Sequence, residues 1–146
     1  MIARSTFAAL QRHLGPNDVD LFADRITKQL PRYVSWLPNP GNLFTDAFTI
    51  PWTQFHHPYL NPPWNLISHC LQKIIQENLP QVTMTTPWWP SVLWFPTIQA
   101  LSIHSPLMLE PSTIVLPSPT AIWPMTNSTW KLAVWSLSIQ NISNQI

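Results

Sequence analysis

At 146 residues the chain has the size of one domain, enough to bury about two thirds of the surface its unfolded form exposes. A net charge of +1 with only 9% charged residues excludes reading a basic nucleic-acid footprint or an acidic tail from composition. Nine tryptophans and 45% apolar residues argue against disorder, and 17 prolines against 2 glycines argue against long uninterrupted helices. In chain order, STFAALQRHL (5–14) reads as a short helix with Ser5 as its N-cap and Gly15 and Pro16 as its stop. DVDLFA (18–23) alternates acidic and apolar residues and predicts a strand that opens into DRITKQLPRY. A strand exit of that kind is where α/β proteins carry chemistry. Proline, glycine and asparagine make LPNPGNLFT (37–45) a loop, with Asp46 just past it.

YLNPPWNLI (59–67) places Asn61, Pro62, Pro63 and Trp64 at the exit of a further strand. The run 64–78 then sets Ile67, Cys70, Leu71, Ile74 and Ile75 at the spacing of an amphipathic helix, with Pro80 as its end. QVTMTT (81–86) is β-branched and predicts a strand, PWWP punctuates, and VLWFPTIQAL predicts a short helix kinked by Pro96. Strand, loop, helix, strand is a βαβ unit, for which parallel pairing and a right-handed crossover are expected. From residue 104, prolines at 106, 111, 117, 119 and 124 predict an extended tail, with strand composition only in TWKLAVWSLS (129–138). The expected architecture is an α/β domain over 1–103, a small Rossmann-like parallel sheet with flanking helices. A proline-rich tail over 104–146 follows, which either adds an edge strand near 129–138 or drapes over a partner.

Eleven of the 13 charged side chains lie at or before Glu77, so the second half is short of solvating groups. The single Cys70 rules out an internal disulfide and a cysteine-based zinc site, and reads as a buried structural thiol. No apolar run approaches the ~20 residues that span a bilayer, and Arg12 and His13 cut off the apolar stretch near the amino terminus. The expectation is an intracellular chain, nuclear or cytoplasmic and not secreted, with no membrane partner.

The loop Asn61, Pro62, Pro63, Trp64 has two readings. With 17 prolines, chance alone supplies about two adjacent proline pairs, and the loop is then a stiff turn. Alternatively it holds an exocyclic amino group. An enzyme that methylates such a nitrogen must accept its hydrogen bonds, which the asparagine oxygen and the next proline carbonyl can do, while an aromatic ring stacks on an extruded base. Other candidates favour plain structure. Asp18, Asp20 and Asp24 lack a further partner for a two-metal cluster, and no histidine has one at metal spacing, so no metal is expected. Trp88, Trp89 and Trp94, without interleaved Lys or Arg, read as core rather than as a base-stacking platform. With glycines only at 15 and 41, a phosphate-binding loop has no support.

Taken as an ordered set, DVDLFADRITKQLPRYVSW, DAFTIPW, YLNPPWNLI, LQKIIQE and VTMTTPWWPSVLWF resemble the phage-type DNA N6-adenine methyltransferase family. That family has an aspartate-led strand, a PRY segment, an acidic residue before a W, and an NPPY-like loop. The likeness is closest to the version of this module in DIRS-type retrotransposon polyproteins, between the ribonuclease H and tyrosine recombinase regions. There PLMLEPSTIVLPSPT and STWKLAVWSLS are also matched, so that the resemblance spans roughly 15–138. It implies that Asp20, Leu21 and Phe22 border an S-adenosylmethionine pocket, that Asp46 is a second acidic contact, and that Asn61, Pro62, Pro63 and Trp64 hold the adenine. Thr27 stands where the family usually has asparagine, Trp64 where it usually has tyrosine or phenylalanine, and PWWPSVLW is bulkier than the matching loop. The implied partners are DNA and the neighbouring ribonuclease H and tyrosine recombinase domains. The rival expectation is a non-catalytic remnant, a spacer or interaction module of such a polyprotein, motivated by the weakly charged tail.

Overall fold

The computed structural model describes residues 2–109 and 131–143. The chain opens with helix α1 (Arg4–Leu14), which buries Phe7 and Leu10 and is closed by Gly15, whose amide donates to the Gln11 carbonyl. Ser5 does not cap it. The helix starts one residue earlier, at an Ala3 N-cap with no side-chain acceptor, and the Arg4 guanidinium ties this end to the carbonyls of Ile26 and Lys28. Strand β1 (Val19–Asp20) is the short core of the predicted 18–23 strand, and β2 (Val34–Ser35) follows. Part of the expected loop 37–45 is strand β3 (Phe44–Thr45). Asn42 folds it back by donating to Ser35 Oγ, the Phe44 carbonyl and Thr45 Oγ1.

The βαβ unit forms as expected from β4 (Pro58–Leu60), α2 (Ile67–Gln76) and β5 (Val82–Pro87), with β4 and β5 parallel. A 3-10 turn over Trp64–Leu66 leads into α2. Asn78, not Pro80, stops the helix. It takes a left-handed φ of 54°, and the amides of Leu79 and Asn78 close onto the carbonyls of Ile74 and Ile75, the paired bonds of a Schellman cap. Nor does Pro96 kink a helix. It falls in the first turn of α3 (Phe95–Leu101), where a missing amide hydrogen costs no hydrogen bond.

The last elements are β6 (Leu107–Leu109), β7 (Leu132–Leu137) and α4 (Ile139–Ser143). They place the expected edge strand elsewhere. The strand foreseen as an edge near 129–138 lies inside the sheet, antiparallel to β5 over six residue pairs from Val82–Leu137 to Pro87–Leu132, and β6 is the edge beyond it. The alternating apolar residues Ala133, Trp135 and Leu137 explain this position, because each is buried in the main core with residues of β1, β4 and β5. Trp135 anchors the strand. Its Nε1 donates to Thr86 Oγ1 at 2.9 Å and its rings meet Phe95 edge-on at 5.8 Å. The proline-rich stretch 110–130 lies outside the described residues.

The main sheet has the order β1-β4-β5-β7-β6, with only β7 running against the others. A parallel β2–β3 ribbon continues it on the other side of β1, through the parallel bridge of Asp20 to Tyr33 and the bonds Asp20 N to Arg32 O and Ala23 N to Val34 O. Helices α2, α3 and α4 cover one face over the large core. Helix α1 covers the other, where Phe7 meets Tyr59 edge-on at 4.9 Å. Between α1 and the sheet, Asn17 donates to the His57 carbonyl and to Thr83 Oγ1, and His57 Nε2 meets the same hydroxyl at 2.8 Å. Buried polar groups of this kind are tolerated because they are paired. Burial holds the His57 pKa below its usual value, so the ring stays neutral within the network.

A chain ending at residue 103 tests the interior position of β7. It should lose cooperative urea unfolding, since β5 then has no antiparallel neighbour and the core loses Trp135. A sharp, native-like transition would contradict this.

Candidate functional site

In an open α/β sheet the ligand crevice forms at the carboxyl ends of the strands, where the order of construction reverses. Here the chain builds outward from β1 to β2 to β3, then returns to lay β4 on the other side of β1. The reversal therefore falls between β1 and β4, whose residues pair Val19 with Pro58 and Asp20 with Tyr59. The loops that leave these strands carry Leu21 and Phe22 on one side and Asn61, Pro62, Pro63 and Trp64 on the other. They start about 4.8 Å apart, the spacing of neighbouring strands.

Asp20 is 2% exposed and shares a sheet face with Tyr59. Its Oδ2 accepts from the Gln29 amide at 2.9 Å, whereas its Oδ1 has no hydrogen-bond partner. Burial raises its pKa from 3.8 to about 6, against the pull of the Gln29 and Phe22 amides; the latter acts by proximity rather than through a bond of ordinary geometry to Oδ1. An unmet buried acceptor is costly and marks a place where a donor belongs. Leu21 points to the opposite face and is buried in the main core. Phe22 is half-buried, 5.7 Å from Phe48 and edge-on to Trp52 at 6.2 Å.

Asp46 has a structural task. From a backbone with φ of 63° its Oδ1 accepts from the Phe48 amide and caps a 3-10 turn over Ala47–Thr49, while its own amide donates to the Ser35 carbonyl. It leaves β3, two strands from β1 and so roughly 10 Å away across the ribbon. The structure thus brings Asp20 and the 61–64 loop to adjacent strand ends and sets Asp46 further along the same rim. The Asn61 side chain is half-buried and forms no hydrogen bond with another described residue. Pro62 is buried and Pro63 exposed, which fixes the loop from both sides. Trp64 is half-buried against the core and turns toward the end of β5, where it meets Trp89 edge-on at 5.1 Å.

Trp94 is core, as expected, at 8% exposure. Trp36 follows Ser35 directly at the exit of β2, a position that becomes visible only once Val34–Ser35 is known to be a strand. Three clefts among the described residues lie away from the reversal. One of about 190 Å³ opens at the amino-terminal ends of the central strands, lined by His13, His57 and His104 among others. A second, of about 290 Å³, lies between Gln99, Ser102 and Trp135, and a third, of about 520 Å³, between Trp88, Met108 and Lys131. No group of three or more metal-ligating side chains occurs among the described residues, and no helix among them is long and apolar enough to cross a membrane. A scan against protein-family models finds no match, and neither does a search of curated proteins.

The raised pKa of Asp20 has a sign. The folded chain holds this proton more tightly than the unfolded one, so the associated stability is fully present below 3.8 and is lost as the pH rises through about 6. Asp20→Asn should therefore stabilise the fold at neutral pH by about 1–3 kcal/mol in urea titrations. The gain should shrink as the pH falls from about 6 toward 3.8. A variant no more stable than its parent at neutral pH would contradict the burial of an unmet charge.

Proposed function

We propose that the chain is a DNA adenine methyltransferase module of the kind found in DIRS-type retroelements, dependent on S-adenosylmethionine. The observation that carries this reading is the reversal point itself. It has an unmet buried carboxylate oxygen on one strand and a proline-fixed asparagine on the next. The wider strand sequence β3-β2-β1-β4-β5-β7-β6 supports it, because dinucleotide-binding folds use the order 3-2-1-4-5-6. Here one antiparallel strand is inserted before the last. The likeness is Rossmann-like in order but departs in its connections, since β1, β2 and β3 are joined by segments without an α-helix.

The chemistry of the donor set fits the cofactor in one respect. Asp20 Oδ1 is an acceptor without a donor, as a hydroxyl or ammonium group of the cofactor would require, and Phe22 at the exit of β1 adds apolar surface together with Phe48. S-adenosylmethionine, when bound, supplies an electrophilic methyl group. The chain's own part is positioning. The Asn61 side-chain oxygen and the Pro62 carbonyl accept the two hydrogens of the adenine amino group and turn the nitrogen lone pair outward. The two prolines hold that loop at little entropic cost, and Trp64 offers a ring face or edge to the base. No covalent intermediate with the enzyme and no metal are needed.

A second reading is favoured by a specific observation: Asp20 and Leu21 are buried, and Asp46 is occupied as a cap. In that reading the module keeps the fold and has lost the pocket, serving as a spacer or interaction unit beside ribonuclease H and recombinase domains. Melting separates the two. A cofactor that binds only the native state raises stability by RT ln(1 + [L]/Kd), about 2.7 kcal/mol at a hundredfold excess over Kd. A rise in melting temperature that grows with S-adenosylmethionine supports the first reading, and no shift at millimolar cofactor supports the second. In a methyl-transfer assay on adenine-containing DNA, Asn61→Ala should lower the rate about a hundredfold or more. Equal rates would remove Asn61 from the mechanism.

A further inference from the structure

The carboxyl ends of the strands form a rim with tryptophans on both sides of the reversal. Trp36 leaves β2 and is 59% exposed; Trp88 and Trp89 leave β5 at 37% and 38%. Trp88 is committed to the fold, stacked 6.0 Å from Trp135 and edge-on to Phe95. Trp36 makes no ring contact with a described residue, and among the described aromatic side chains Trp89 pairs with Trp64. Strands β1 and β4 separate the two, roughly 14 Å at the usual interstrand spacing, so the 61–64 loop lies between them.

The same rim gathers cations that the sequence scatters. Arg25 follows β1, with its amide donating to Asn39 Oδ1 beyond the end of β2. Arg4, at the start of α1, reaches the carbonyls of Ile26 and Lys28, and Lys28 lies over the Tyr33 ring. None of Arg4, Arg25 and Lys28 forms an ion pair with a described residue. The nearby carboxylates are held by backbone amides rather than by these cations: Asp24 Oδ1 accepts from the amides of Ile26 and Thr27, and Asp46 Oδ1 from that of Phe48. An apolar protein partner laid here would have to desolvate three cations that no described carboxylate pairs. A polyanion with exposed ring faces would meet both features favourably, since cations follow the backbone and aromatic side chains stack on the bases.

We propose that this rim binds single-stranded DNA, with bases stacked on Trp36 and Trp89 on either side of the reversal point. A duplex keeps its base faces inside the stack and cannot use the two rings. The inference rests on the reading above for the choice of DNA, and it adds the strandedness of the substrate and the residues that select it.

Binding of a short dye-labelled oligo(dT) by fluorescence anisotropy tests it. Thymine has no exocyclic amino group, so this binding does not depend on Asn61, and failure here is separable from failure of the cofactor-dependent melting shift. The full chain should bind oligo(dT) about tenfold or more tightly than a duplex, or an abasic strand, of the same length. The double variant Trp36→Ala, Trp89→Ala should lose about tenfold or more with an unchanged melting temperature. Arg25→Ala should weaken binding and flatten its salt dependence. Equal affinity for the abasic strand or the duplex overturns the proposal, as does the absence of binding; both are read on the unaltered chain and do not depend on any variant folding. Tighter binding of oligo(U) than of oligo(dT) overturns the assignment to DNA. Concentration-dependent self-association that the tryptophan variants abolish would mark the rim as a protein interface and also overturn it.

Discussion

The pairing of β1 with β4 is the constraint on which the molecule turns. Val19 beside Pro58 and Asp20 beside Tyr59 are only two residue pairs, yet they bring together segments almost 40 positions apart and reverse the direction in which the sheet grows. The pairing is secured from both faces. Val19, Leu21 and Leu60 enter the large core on one side, while Tyr59 packs on Phe7 of α1 on the other. Around it, Asp18 accepts from the amides of His56 and His57 and so locks the entry of β4 to the entry of β1. The carboxyl-end rim depends on this register, because a slip by one residue would turn Asp20 and Tyr59 toward the opposite face.

Asp20 is a buried acid whose two oxygens are treated differently. A carboxylate buried with one oxygen unmet opposes folding at neutral pH, while its other oxygen satisfies the Gln29 amide. An open acceptor of this sort is a position that a ligand donor, a water or an ion can fill. The neighbouring network of Asn17, His57 and Thr83 is the opposite case. There each buried polar group meets another, and the result ties α1 to the sheet without leaving an open valence.

Local sequence carried the helices and the βαβ unit well, because their signals are local. Apolar spacing in 64–78 depends on which residues share a helix face, and β-branched residues in 81–86 need no partner to be recognised. Boundaries failed where a second, non-local or left-handed contact intervened. Arg4 moved the start of α1, Asn78 stopped α2 before its proline, and Asn42 turned part of an apparent loop into β3. The largest difference concerned β7. Proline density made the segment after residue 104 look like a tail, yet the alternation in LAVWSL decided its place, and that alternation reads alike for an edge and for an interior strand.

The sequence by itself determined an α/β chain, a parallel βαβ unit, a buried Cys70 and an aspartate-led strand followed later by a proline-fixed asparagine loop, since each follows from nearest-neighbour chemistry. Only the tertiary structure decided that these two strands end side by side, that β7 is interior, and that Arg4, Arg25 and Lys28 share a rim with Trp36 and Trp89. The reason is physical: strand pairing and side-chain neighbourhood are chosen by burial and hydrogen bonding summed over distant segments. Composition and periodicity do not contain that sum.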